Sequence, residues 1–239
     1  MPLQTVEPPQ RLYRQIAEQL RSLIAAGEFK PGSRLPAERD LARQLGVSRP
    51  SVREALIALE VEGWVEVRIG SGVYAMAPNG AGANGHAQVP ASEWGPFELL
   101  NARRVIEGEI AALAATHAKR TNLHAIRDAI EAMRSDVDRG VAPLESDGAF
   151  HAAIAEASGN AVLFDTVQTY WDARHGALFA RLGGHFERTA VWRLAIAEHE
   201  VVLAAVKARN AEGARAAMRQ HMDKTNARFS ASWRGAKKS

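Results

Sequence analysis

The stretch APNGAGANGHAQVPASEWG, residues 77–95, constrains the fold of this chain more than any other. Its glycines, prolines and small polar residues carry neither a helical nor a strand period, and such a strip reads as a linker. A chain of 239 residues interrupted in this way is expected to fold as two units, each burying its own core. The expected boundaries are 10–77 for a first domain, 78–95 for the linker and 96–232 for a second domain. The chain has no cysteine. That excludes a disulfide framework, a thiol nucleophile and a Cys-ligated zinc, so any metal would need histidines and carboxylates. No apolar run reaches the roughly 18–20 residues of a membrane span. Met1 to Gln10 lacks the basic and apolar regions of a signal peptide. The expectation is a cytoplasmic protein with no membrane partner. The net charge of +3 is too mild to argue for nucleic acid by itself.

Local patterns carry that argument instead. Leu12, Ile16, Leu20 and Ile24 step along one helical face, and Gly27 offers a stop. After the Pro31-Gly32 turn, Pro36 precedes a second helix with Leu41 and Leu45 inward, ending at Gly46. Ser48 suits the N-cap of a third helix, which tolerates Pro50 in its first turn and runs through Val52, Leu56 and Leu59 to Gly63. Val65 to Ile69 then alternates with period two. Gly70-Ser71-Gly72 turns the chain, and Val73 to Met76 returns it, which predicts a small β-hairpin. Three short helices, two of them separated only by Gly46-Val47, followed by a hairpin, make the pattern of a winged helix-turn-helix. Ser48, Ser51 and the helix N-terminus can meet phosphates, while Arg49 and Arg53 can reach base edges or phosphates. Arg39 and Arg43 lie toward a duplex backbone, and the Gly-Ser-Gly tip is thin enough for a minor groove. A merely solvated face, with Glu38, Asp40 and Glu54 as counter-charges, would not also require the cap, the turn and the wing.

The run LPAERDLARQLGVSRPSVREALIALEVEGWVEVRIGSGVYA resembles the DNA-binding domain of the GntR family of bacterial transcription regulators. The resemblance implies that Arg39, Ser48, Arg49, Ser51, Arg53 and the wing Gly70 contact operator DNA. Pro50 stands where that family often has Thr, so one side-chain contact is missing. A homodimer is expected to read a palindromic operator, since half-site symmetry mirrors protein symmetry.

From Pro96 onward the chain reads as antiparallel helices, giving a mainly α protein with a C-terminal all-helical bundle. Asp147 and His151 stand four residues apart, on one face of a helix. His199 and His221 flank a break near Arg209 to Ala211, each about ten residues away at 1.5 Å per residue, so an antiparallel hairpin should bring them level. Three histidines and one aspartate suit Zn, Mn or Ni. Singly, each would more simply be a hydrogen-bonded or surface residue, and by that standard His86, His117, His124, His175 and His185 stay unassigned.

This half, from LLNARRVIEGEIAALAA through Asp147, His151 and Ser158-Gly159-Asn160 to Glu198-His199 and His221, resembles the ligand-binding domain of the FadR subfamily of GntR regulators. The resemblance implies a divalent metal on Asp147, His151, His199 and His221. It also implies a carboxylate effector clamped by Arg103, with adjacent Arg104 the alternative and Arg174 a further pocket candidate. GPFELLNARRVIEGEIAALAA and Tyr170-Trp171-Asp172-Ala173-Arg174 are similar to hexuronate-utilisation repressors, which implies a sugar acid. The function expected is a repressor whose DNA binding answers to that effector. The alternative is a metal-dependent enzyme acting on a sugar acid. It lacks an HExxH helix and a diagnostic acid/base pair, and Glu198 and Glu200 are read as pointing away from the His199 face.

Overall fold

A computed structural model describes residues 11–68, 70–77, 89–90, 92–186 and 188–233. Ile69, expected to end the first hairpin strand, and residues 78–88 of the expected linker, His86 included, lie outside the described residues. The chain divides into two units, one up to Gly95 and the other from Pro96 to Arg234. It is mainly α: the elements are ten helices and one two-stranded hairpin among the described residues.

In the first unit, α1 (Leu12–Ala25) packs against α3 (Arg49–Val61), with α2 (Glu38–Leu45) on α3 as well. The inward face of α1 is Tyr13, Ile16, Ala17, Leu20 and Ile24, whereas Leu12 is 48% exposed. The expected stripe is therefore shifted at its start, where Tyr13 rather than Leu12 is buried. Gly46 closes α2 with φ +65°, a left-handed cap that glycine adopts without strain. Ser48 caps α3, accepting from the Ser51 backbone N–H at 3.2 Å. Strands β1 (Val65–Arg68) and β2 (Gly72–Ala75) pair antiparallel, and a bridge from Arg34 to Tyr74 extends the hairpin on its outer side.

The stretch expected to be free linker is anchored at its end. Val89 is buried, the Tyr13 hydroxyl donates to the Glu93 carbonyl at 2.9 Å, and Arg11 lies over the Trp94 ring at 5.9 Å. A Cβ at Gly95 would collide with the Glu54 carboxylate. Residues 89–90 and 92–95 thus belong to the first unit. Their composition reads as linker because two apolar side chains among small residues make no period.

The second unit is built from α4 (Pro96–His117), α5 (Arg120–Asp138), α6 (Leu144–Ala157), α7 (Ala161–Arg174), α8 (Ala177–Phe186), α9 (Thr189–Lys207) and α10 (Ala211–Trp233). Helix α4 lies along α10, approaching closely where Gly108 meets the Arg219 side chain, and α9 pairs with α10 and with α5. Helix α6 sits between α4 and α5. The turn between α9 and α10 falls at Arg209, with φ +57°, and the Asn210 side chain accepts from the Gly213 N–H at 2.8 Å. The chain therefore reverses where the sequence places the break.

Candidate metal centre and nucleic-acid interface

Helix α6 delivers Asp147 and His151, one turn apart, into the middle of the second unit. Helix α9 delivers His199 and α10 delivers His221, and all four side chains are buried. One ring nitrogen from each histidine lies within 4.8 Å of the other two. His199 Nε2 is 3.2 Å from His221 Nε2, and Asp147 Oδ1 is 3.5 Å from His199 Nε2 and 3.8 Å from His151 Nε2. Phe150 stacks on the His199 ring at 3.9 Å between centroids and fixes its tilt.

The outer nitrogens of two of the rings face carboxylates. His151 Nδ1 meets Glu107 Oε2, and His221 Nδ1 donates to Glu198 Oε2 at 2.9 Å. His199 Nδ1 lies 3.3 Å from the Met133 sulfur, a weak acceptor. A proton on Nδ1 of His151 and of His221 leaves the Nε2 of each with a lone pair facing inward, while His199 Nε2 stands within hydrogen-bond distance of His221 Nε2. Asp147 Oδ1 and His151 Nε2 are buried and have no hydrogen-bond partner among the described residues. Two buried polar atoms side by side without a donor are costly, and a cation between them would satisfy both.

Burial and charge oppose each other around the cluster. Burial works to raise Glu107, yet Arg103, donating from Nε at 2.6 Å, and His151 hold its carboxyl well below the usual carboxylate range. Burial likewise opposes ionisation of Glu198, but His221 and Arg228 bring it to about 2. Arg228 donates to both Glu198 oxygens, at 2.7 and 3.0 Å. Burial, and then the neighbouring histidines, push His199 well below the ordinary imidazole value. Burial also lowers His221, outweighing the opposing hydrogen bond to Glu198. Neutral imidazoles are what a metal ion requires.

Beside the cluster lies a narrow cleft of about 30 Å³, lined by Arg103, Asp147, Arg174, Trp192, His221 and Thr225 among others. Arg103 is buried with Nη2 unpartnered among the described residues, and its guanidinium lies over Trp171 at 4.9 Å. Arg174 donates to Asp147 Oδ2 at 3.1 Å. Arg104 is elsewhere: its side chain is 40% exposed and pairs with Asp223 at 2.6 Å. Sequence reasoning missed Glu107, Arg228 and Met133, and read Glu198 as turned away, although it holds His221 in place. The available signal was Glu107 four residues after Arg103, a charged pair in a helix whose other inward residues are mostly Ala and Leu.

In the first unit, Ser48 and Ser51 sit at the exposed start of α3, their hydroxyls 2.8 Å apart, and Gly70 is at the hairpin turn with φ +79°. Arg39 is solvent-facing, with its side chain 78% exposed. The two arginines of α3 differ. Arg49 is half exposed and donates Nε to Glu38 Oε1 at 2.7 Å, which leaves its two Nη groups for an outside partner. Arg53 is only 2% exposed and donates to both Glu38 oxygens, at 2.8 and 3.0 Å. The structure therefore brings Arg39, Ser48, Arg49, Ser51 and Gly70 to the surface but places Arg53 beneath it. The reason is register: Arg53 stands one turn after Arg49, where α3 has already passed under α2.

Comparison with known proteins covers both halves. Residues 12–75 match the family model for bacterial regulatory proteins of the gntR family, and residues 98–224 match the FCD domain. The Uxu operon transcriptional regulator of Escherichia coli (strain K12) is 35% identical over 225 residues, spanning 92% of this chain and 87% of that protein. The Exu regulon transcriptional regulator of the same strain is 36% identical, spanning 92% and 85%. Among solved structures, E. coli McbR/YncC superposes over 92% of this chain and 98% of its own, with a TM-score of 0.51 at 24% identity, a likeness of fold. Among the described residues no helix is long and apolar enough to cross a membrane. The relatives are transcription regulators, so the reading of the chain as a sugar-acid enzyme is set aside. With its winged helix-turn-helix and FCD domain, the chain belongs to the GntR family of bacterial transcription regulators and is of the FadR type.

Proposed function

We propose that this regulator is a cytoplasmic repressor that binds a palindromic operator as a homodimer and is controlled by a sugar acid, with hexuronate the leading effector. The observation that carries the reading is the convergence of three histidine ring nitrogens and Asp147 Oδ1, which has no hydrogen-bond partner among the described residues, beside a cleft lined by Arg103. Asp147, His151, His199 and His221 would hold one divalent ion, Zn, Mn or Ni, whose chemistry is to anchor a carboxylate oxygen. Arg103 supplies the clamp, since a carboxylate satisfies its unpartnered Nη2. Arg174 borders the same cleft, whereas Arg104 takes no part. The names of the Uxu and Exu relatives agree with a sugar acid.

On the DNA side, Arg39, Ser48, Arg49, Ser51 and the Gly70 turn meet the operator. Arg53 acts from below as a positioning residue, sharing Glu38 with Arg49 and so orienting it. Coupling between effector and operator is reciprocal and of the order of 1–3 kcal/mol. The test is operator titration by fluorescence anisotropy with and without saturating galacturonate or glucuronate. A shift of the wild-type curve, lost in Arg103→Ala while ligand-free DNA binding persists, is expected. An operator curve that no sugar acid moves contradicts the effector reading.

A further inference from the structure

The metal set and Arg103 leave one buried polar group of the cleft without a task. Trp192, on α9, is 6% exposed and lines the cleft together with Val191, Ala195, Met222, Thr225 and Phe229. Its Nε1 is buried and has no hydrogen-bond partner among the described residues. An indole N–H can only donate, and a buried donor without an acceptor is rare and costly in a native structure. Among the cleft residues the buried unpartnered atoms are Arg103 Nη2, Trp192 Nε1 and Asp147 Oδ1. The last belongs to the metal set. What remains is two donors facing no acceptor.

A ligand that completes such a cleft must bring acceptors. One is the carboxylate that Arg103 takes. The second has to be another oxygen, and the apolar walls formed by Val191, Ala195, Met222 and Phe229 suit the C–H face of a ring that carries it. We propose that Trp192 is a specificity-determining residue: its indole N–H selects effectors with a hydroxyl or carbonyl oxygen beyond the carboxylate end, against short 2-hydroxy acids that lack one. The proposal rests on the carboxylate-effector reading above. A site built to hydrogen-bond a ligand oxygen rejects the analogue without it, because the site's own polar group is then left unpaired.

The test uses metal-loaded full-length protein, calorimetric titration with galacturonate, glucuronate and lactate, and the variant Trp192→Phe, which keeps a ring but removes the N–H. Wild type should bind the uronates more tightly than lactate. Trp192→Phe should lose about tenfold in uronate affinity, the effect of one hydrogen bond, and nothing for lactate. Independently of how the variant folds, the indole ¹⁵N–¹H resonance of Trp192 in wild type should move with galacturonate and stay put with lactate. Galacturonate that binds wild type without moving that resonance, or binds the variant equally well, overturns the role of Trp192 and leaves the carboxylate reading standing. Tighter binding of lactate than of either uronate also overturns it. If wild type binds none of the three acids, the effector reading itself fails and this inference falls with it.

Discussion

The molecule buries two charged clusters, one in each unit, and they are built to opposite rules. In the first unit Glu38 accepts from Arg49 and Arg53, so one acid is shared by two cations and neither of its oxygens is left over. In the second unit three imidazole nitrogens and one carboxylate oxygen face one another, with Asp147 Oδ1 and His151 Nε2 lacking a hydrogen-bond partner among the described residues. The first cluster is complete as folded. The second keeps buried polar atoms in reserve, as the proposed ion site requires. The difference separates a cluster satisfied by its own side chains from one whose donors are turned toward a ligand.

Chelation should divide the units most sharply. If the ion is held at about a thousand times its dissociation constant, its removal lowers the apparent stability of the second unit by about 4 kcal/mol and leaves the first unchanged. Urea unfolding with and without EDTA, followed by calorimetry, checks this, and equal shifts in both units would break the comparison. Next in size is Arg53→Ala. It strips the buried Glu38 of its main partner and should destabilise the first unit by about 3 kcal/mol, with or without chelator. The double change Glu38→Gln with Arg53→Met should recover much of the loss, because no lone charge stays buried. Arg49→Ala should weaken operator binding by about 1–3 kcal/mol while barely altering stability, as its outer nitrogens face solvent. Anisotropy titration set beside denaturation separates the two effects.

Acid should act on the second cluster first. In the folded protein His199 and His221 are lowered from 6.5, so the unfolded chain takes up protons before the folded one does. Their contribution is complete above about pH 6.5 and is lost as pH falls through the folded values. The slope is at most about 1.4 kcal/mol per pH unit for each group. Glu198 adds a later loss, from its ordinary 4.5 down toward about 2. Chelated protein unfolded in urea at a series of pH values tests the order, and a curve flat between pH 7 and 5 would contradict it. The smallest effect concerns the anchored end of the linker: Tyr13→Phe removes the bond to Glu93 and should cost about 1 kcal/mol, read in thermal unfolding of the first unit.

How far the sequence discloses these clusters depends on what carries each signal. Ser48, Gly46 and the hairpin are local, and cap, left-handed turn and alternation each leave a mark within a few residues. The level placement of His199 and His221 is also legible, because helical rise and the position of the break near Asn210 fix it arithmetically. The supports of the site are not. Glu107 and Met133 reach the histidines from other helices, and Glu198 serves His221 rather than its own neighbour His199, contacts that only packing creates. Leu12 and Arg53 show the same limit from the other side. Helical spacing says which residues share a face but not where the face passes under a neighbouring helix. Val89, which is buried, and Trp94, which lies under Arg11, hold a stretch whose composition is that of a linker, because two isolated apolar side chains leave no period in the sequence.

The central claim, that the second cluster is a cation site, is tested most directly by elemental analysis of the purified protein beside Asp147→Asn and His221→Ala. The account predicts about one divalent ion per wild-type chain and far less in either variant, since each loses one of four ligands. A wild-type protein that holds no ion, takes none up on dialysis against Zn, Mn or Ni, and still binds a sugar acid would contradict it.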